Sequence, residues 1–154
     1  MLDRILPRSI DNTYRGHLLA LWLFVPVLIV KTGIAFGTIV NGRSAARSAD
    51  GIPLETFGAA GAEAVVALFA IWGLSQLVLS VFGVLAFVRY RAMIPLMFLL
   101  LLLEHLTRRW ILFVKPIART GRPPGLWINL GLLVLMIAGL ALSLWSRPPS
   151  SSPD

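Results

Sequence analysis

Apolar residues gather along this chain into four long runs joined by short polar connections. The first extends from about Gly16 to Val40 and is broken by Lys31; Pro26 lies inside it as a kink, and Asn41-Gly42 ends it. The second carries no charge from Ala64 to Val88, 25 residues, enough to span a bilayer with some tilt. The fourth is uncharged from Pro123 to Ser146. The third is mixed. Ala92 to Leu103 supplies only 12 uncharged residues, and Glu104, His105, Arg108 and Arg109 follow before the apolar stretch Trp110–Val114. Taken as one helix from Arg91 to Val114 it is long enough to span, with Pro95 in the first turn where proline is tolerated. Otherwise it is re-entrant or interfacial.

The pattern predicts an all-α polytopic membrane protein, a four-helix transmembrane bundle with helices at about 16–40, 58–88, 91–114 and 124–146, and a disordered tail at 147–154. Arg4, Arg8 and Arg15 before the first run could announce a signal peptide. The run resumes after Lys31 with no small-x-small cleavage site behind its first part, so it is read as a retained helix. Between runs one and two, Asp50-Gly51-Ile52-Pro53 marks a turn, with one helical turn expected before it. Tyr14, Tyr90 and Trp145 fall at helix ends on one side of the membrane, Trp110 and Trp127 on the other, as interfacial aromatics do.

Composition supports the membrane assignment. Hydrophobic residues make up 57% of the 154 and charged ones 14%, against about 25% in soluble domains. The net charge of +7 comes from Arg clusters beside apolar runs, which is juxtamembrane anchoring and argues against nucleic acid as a partner. Without Cys, disulfides and thiolate chemistry are excluded. The side holding the N-terminus (side one) carries Arg4, Arg8, Arg15, Arg89, Arg91 and Arg147. Side two carries Arg43, Arg47, Arg108, Arg109, Lys115, Arg119 and Arg122. Six against seven leaves the positive-inside rule nearly tied. The weight of the first helix predicts both termini in the cytoplasm.

Four polar residues interrupt the runs: Lys31, Glu63, Glu104 and Asn129. At 1.5 Å per residue, Lys31 and Glu104 lie ~21 and ~20 Å from side one, and Glu63 and Asn129 ~8 and ~6 Å from side two. All four thus fall in the leaflet nearest side two of a slab about 30 Å thick. Lys31 is expected to pair with Glu104, Glu63 or both, while Arg108, four residues on, competes for Glu104. His105 and Arg109 share that spacing beside it. These charges either glue the helices together or line a wet cavity for a substrate, a lipid headgroup or a proton.

In the second run Gly73, Gln76, Ser80 and Gly83 form a small, polar stripe that lets helices approach closely, and Gly33-x-x-x-Gly37 lies roughly 140° around the first helix from Lys31, where it could face a second copy. His17 and His105 lie on opposite sides, which argues against bis-histidine haem. Glu104, His105 and Glu63 make only a weak metal pattern. No phosphate loop, nucleophile elbow, paired intramembrane Asp or zinc HExxH motif occurs, so no enzyme activity, cofactor or metal is expected.

The segments Ser48-Ala-Asp-Gly-Ile-Pro-Leu54, Arg89-Tyr-Arg-Ala-Met-Ile-Pro95 and Pro116-Ile-Ala-Arg-Thr-Gly121 resemble small bacterial membrane proteins of unassigned function. The layout is similar to the DoxX-like group of four-helix bacterial membrane proteins, some of them described as partners of redox enzymes. The resemblance implies a bacterial inner-membrane location and an accessory role, and places no functional motif on these residues. Small multidrug-resistance transporters share the size class, but they carry Glu in mid-first-helix where this chain has Lys31. A non-catalytic structural or accessory membrane subunit is the expected role. A small transporter or ligand-binding protein using the Lys/Glu layer is the alternative. The expected partners are the bilayer and another membrane protein or a second copy.

Overall fold

The computed structural model describes residues 2–7 and 9–145; the expected disordered tail at 147–154 lies outside the described residues. The chain is all-helical, with no strand among the described residues. Its four long helices are α1 (Leu18–Val40), α2 (Ala59–Arg89), α3 (Ile94–Val114) and α4 (Gly125–Leu144). Helix α1 is capped by side chains at its start and just beyond its end. The His17 side chain accepts the Leu19 N–H at 3.2 Å to open α1. At its end the Asn41 N–H donates to Gly37 O, while the Asn41 side chain caps the next turn by accepting from the Ser44 N–H. Pro26 sits inside α1, which nonetheless runs on to Val40. Pro123 and Pro124 precede α4, and their carbonyls accept from Leu126, Trp127 and Ile128.

Three helices, α1, α2 and α4, are long and apolar enough to cross a membrane. Helix α3 has the length, 21 residues or ~31 Å, but carries Glu104, Arg108 and Arg109 in its second half. Its α-helical part also starts later than the sequence suggested: Arg91–Met93 form a 3-10 turn between α2 and α3, and Glu104 lies ~15 Å along the helix from Ile94.

Helix α1 packs between α2 and α4, and α4 packs on α3. The apolar core fills the half nearest side one: Phe24 and Val27 of α1, Met97, Phe98 and Leu101 of α3, and Met136 of α4 are all buried. Phe24 meets Phe98 edge-to-face with centroids 5.1 Å apart. Phe98 reaches so close to α4 that a side chain at Gly139 would collide with its ring. Tyr14, expected in an interfacial belt, instead turns inward and packs against this core, and burial pushes its hydroxyl up to about 12. Outward faces are apolar, with Trp22, Ile29, Leu68 and Val88 exposed as lipid-facing residues are.

On side two a second cluster, Ala46, Ile52, Leu54 and Ala62, holds the connection between α1 and α2. That connection folds as a helical turn, Gly42–Ser44, followed by a π turn, Ala45–Ala49. Gly51 then takes φ +72°, a left-handed conformation suited to glycine. Its carbonyl accepts from both the N–H (2.8 Å) and the hydroxyl (3.2 Å) of Thr120, tying this loop to the α3–α4 connection.

Candidate functional site

The polar residues that interrupt the apolar runs meet above the aromatic core, toward side two. From α1, Lys31 buries its ammonium, 6% exposed, and donates to Glu104 of α3 at 2.5 Å and to Gln76 of α2 at 3.1 Å. The other Glu104 oxygen faces Arg108 Nε at 3.8 Å, beyond hydrogen-bond range. Arg108 donates to the Asn129 side-chain oxygen of α4 at 2.8 Å and lies over the Trp72 ring of α2, 4.9 Å from its centroid. One connected set therefore draws a polar side chain from each of the four long helices.

The reason is energetic. An isolated ionised group within hydrocarbon costs several kcal/mol, and mutual contact with amide support offsets much of that. Since Lys and Arg can only donate, they also fix the two amides: Gln76 Oε1 and Asn129 Oδ1 point at the cations, and each amide NH₂ points away from them.

Not every expected member joins. Glu63 is exposed in the first turns of α2, 13 residues before Gln76. Along the axis that is ~20 Å from the Lys31 level, more than half the thickness of a slab about 30 Å thick. Helix α2 is 31 residues long, and Glu63, near its start, makes no contact with Lys31. His105 faces inward, 1% exposed, with Nδ1 unbonded, and is not paired with Arg109, which is exposed. Among the described residues no three His, Cys, Asp or Glu stand close enough to hold a metal ion.

The stripe on α2 lies against α1. A side chain at Gly73 would come within 2.9 Å of the Ala35 carbonyl, and one at Gly83 within 2.7 Å of Leu28 Cδ1. Ser80 is buried and bonds the Gln76 carbonyl; Gln76 belongs to the stripe and to the polar set at once. Gly33 and Gly37 lie on the open face of α1, with nothing within 4 Å of where a Cβ would stand.

Below the Gly42–Gly51 loop the set borders a cavity of about 70 Å³, lined by Lys31, Thr38, Asp50, Gln76, Arg108 and Asn129. Sequence reading missed two contributors. Asp50 looked like a turn residue, yet the tertiary fold carries its carboxyl over the cavity. Burial pushes that carboxyl up, while Arg108 and Arg119 pull it the other way. Trp72 looked like one more apolar residue of α2. On its other flank the set borders a lateral groove of about 620 Å³ between α2 and α3, where Glu104 and Arg108 keep roughly a quarter of their side-chain surface open.

The arrangement can hold helices in register, and it can offer hydrogen-bond donors to something small. Comparison with protein families, with curated proteins and with solved structures returns no match to this chain.

Proposed function

We propose that the protein is a four-helix membrane bundle of a bacterial inner membrane, with both termini cytoplasmic, acting as a non-catalytic structural or accessory subunit. The observation that carries this reading is the polar set itself. Its charges on α1 and α3 are engaged with one another and with amides of α2 and α4, as groups are when they fix the rotation and depth of helices. A span for α3 is supported by the Gly51–Thr120 bonds, which bring the loops at either end of the α2–α3 pair together on side two. The open faces, Gly33 and Gly37 on α1 and the α2–α3 groove, leave room for lipid and for a second copy or another membrane protein.

Thermal unfolding in detergent of Lys31→Leu, Glu104→Leu and the double variant tests the structural role. Each single change strands a charge and is expected to cost about 3–5 kcal/mol, while the double recovers most of it. Singles as stable as the parent would instead mean that water already solvates these charges. The alternative, a small transporter or ligand-binding protein, is favoured by one observation: the polar cavity under the side-two loop.

A further inference from the structure

We propose that the lateral groove between α2 and α3 is a binding site for one neutral single-chain lipid, a long-chain alcohol, with its hydroxyl at Glu104 and its chain running toward side one. The inference goes beyond the structural role of the polar set and rests on the reading that α3 spans the membrane.

The groove has two halves. Toward side two it holds about 620 Å³ and is bordered by Gln76, Glu104, Thr107 and Arg108. Toward side one a stretch of about 660 Å³ is lined by Phe82, Leu85, Leu96 and Met97 and carries no charged side chain. Leu79 and Leu100 line both, so the halves are continuous. A groove polar at one end and apolar along the rest matches an amphiphile.

The polar end has an acceptor to spare. Glu104 gives one oxygen to Lys31; the other has no hydrogen bond among the described residues, since Arg108 Nε stands 3.8 Å away and is itself without a partner. Glu104 borders the groove and not the cavity under the side-two loop, so its free oxygen opens on the groove. The charges on the groove wall, Glu104 and Arg108, cancel, and a charged headgroup would upset that balance. A neutral hydroxyl leaves it intact. It donates to the free Glu104 oxygen and brings its own lone pairs beside the unpaired Arg108 N–H.

Depth and length select the rest of the molecule. Glu104 stands ~15 Å along α3 from Ile94, well inside a slab about 30 Å thick. A phosphate headgroup there would be a charge in hydrocarbon; a hydroxyl would not. The apolar stretch from Glu104 to side one matches one chain, since two chains end to end make up the slab. Bulk phospholipid can cover the apolar half but leaves the Glu104 oxygen unsatisfied.

In the test, the purified full chain in phosphatidylcholine vesicles is irradiated with a long-chain alcohol carrying a diazirine in mid-chain, and labelled positions are read by mass spectrometry. Saturable labelling around Leu79 and Leu100 is expected. It should fall about tenfold under a tenfold excess of unlabelled alcohol. It should hold under the alkane of equal length or the alcohol's methyl ether, neither of which can donate to Glu104. Labelling that never saturates, or that falls equally on the exposed Ile29 and Val134, means that bulk chains fill the groove and overturns the proposal. A groove left unlabelled, because water or a second copy of the chain occupies it, overturns it too. An ether that competes as well as the alcohol refutes the contact with Glu104. Leu100→Trp and Leu79→Trp each block the groove where its halves meet, at partly exposed positions, and should abolish the saturable labelling. Labelling undiminished in either folded variant refutes the location. Thiol labelling of Arg119→Cys in the same vesicles reports whether α3 spans, so failure of the span and failure of the groove remain separate results.

Discussion

Single residues show how differently a buried polar atom can be treated. Lys31 is surrounded by acceptors, whereas the Tyr14 hydroxyl is buried without a partner. An unmade hydrogen bond of this kind costs about 1–3 kcal/mol, so Tyr14→Phe should leave stability unchanged or raise it by about 1 kcal/mol. Its pH signature follows from linkage. A folded pKa of about 12 against an ordinary 10 means that the folded chain holds the proton longer. Stability contributed by that proton is whole below pH 10 and is lost as pH climbs toward 12; in Tyr14→Phe this alkaline decline should be absent from melting curves. The sequence marked Tyr14 as a helix-end aromatic, and its position in the chain was legible. Its direction was not, because an aromatic at a helix end can face headgroups or core with equal local geometry. Lys31, Glu104, Asn129 and Arg108 were more legible, since charge in an apolar run is costly wherever it points.

Among the elements, the glycines separate close packing from open surface. Gly73 and Gly33 are both helical, and by propensity alone replacing either with Ala should stabilise by about 0.8–1 kcal/mol. At Gly33 nothing opposes the added methyl, so Gly33→Ala should show that gain. At Gly73 the methyl would press on the Ala35 carbonyl, and Gly73→Ala should lose about 1–3 kcal/mol, with Gly139→Ala behaving alike because of Phe98. Thermal unfolding of the three variants checks the contrast, and loss of a dimer in Gly33→Ala would place a second copy on that face. The run of Gly73, Gln76, Ser80 and Gly83 was readable at helical spacing, whereas Gly139 carried no pattern: its importance comes from a phenylalanine on another helix. The start of α3 differs because Ala92 and Met93 continue the apolar pattern while Arg91–Met93 winds as a 3-10 turn.

For the whole molecule the number of bilayer crossings can be read by thiol labelling, since the chain has no cysteine of its own. Single Ser48→Cys, Arg119→Cys and Arg89→Cys variants, treated with an impermeant thiol reagent in oriented vesicles, report the side of each loop. Four crossings require Ser48 and Arg119 to label from one side and Arg89 from the other. If α3 does not cross, Arg119 labels with Arg89. What the sequence by itself determined was the helical, membrane-embedded character and three helices long and apolar enough to cross, because the cost of exposing backbone and charge to lipid acts on each segment independently of the others. It also marked which polar residues had to find partners. Which partners they found was decided by tertiary structure. Glu104 rather than Glu63 meets Lys31, Gln76 bridges a packing stripe to a charge network, and Asp50 crosses a loop to roof a cavity. Each depends on how far one helix is shifted and rotated against another, and that is set by contacts between segments distant in the chain, such as Phe24 on Phe98, Gly73 on Ala35 and Gly51 on Thr120.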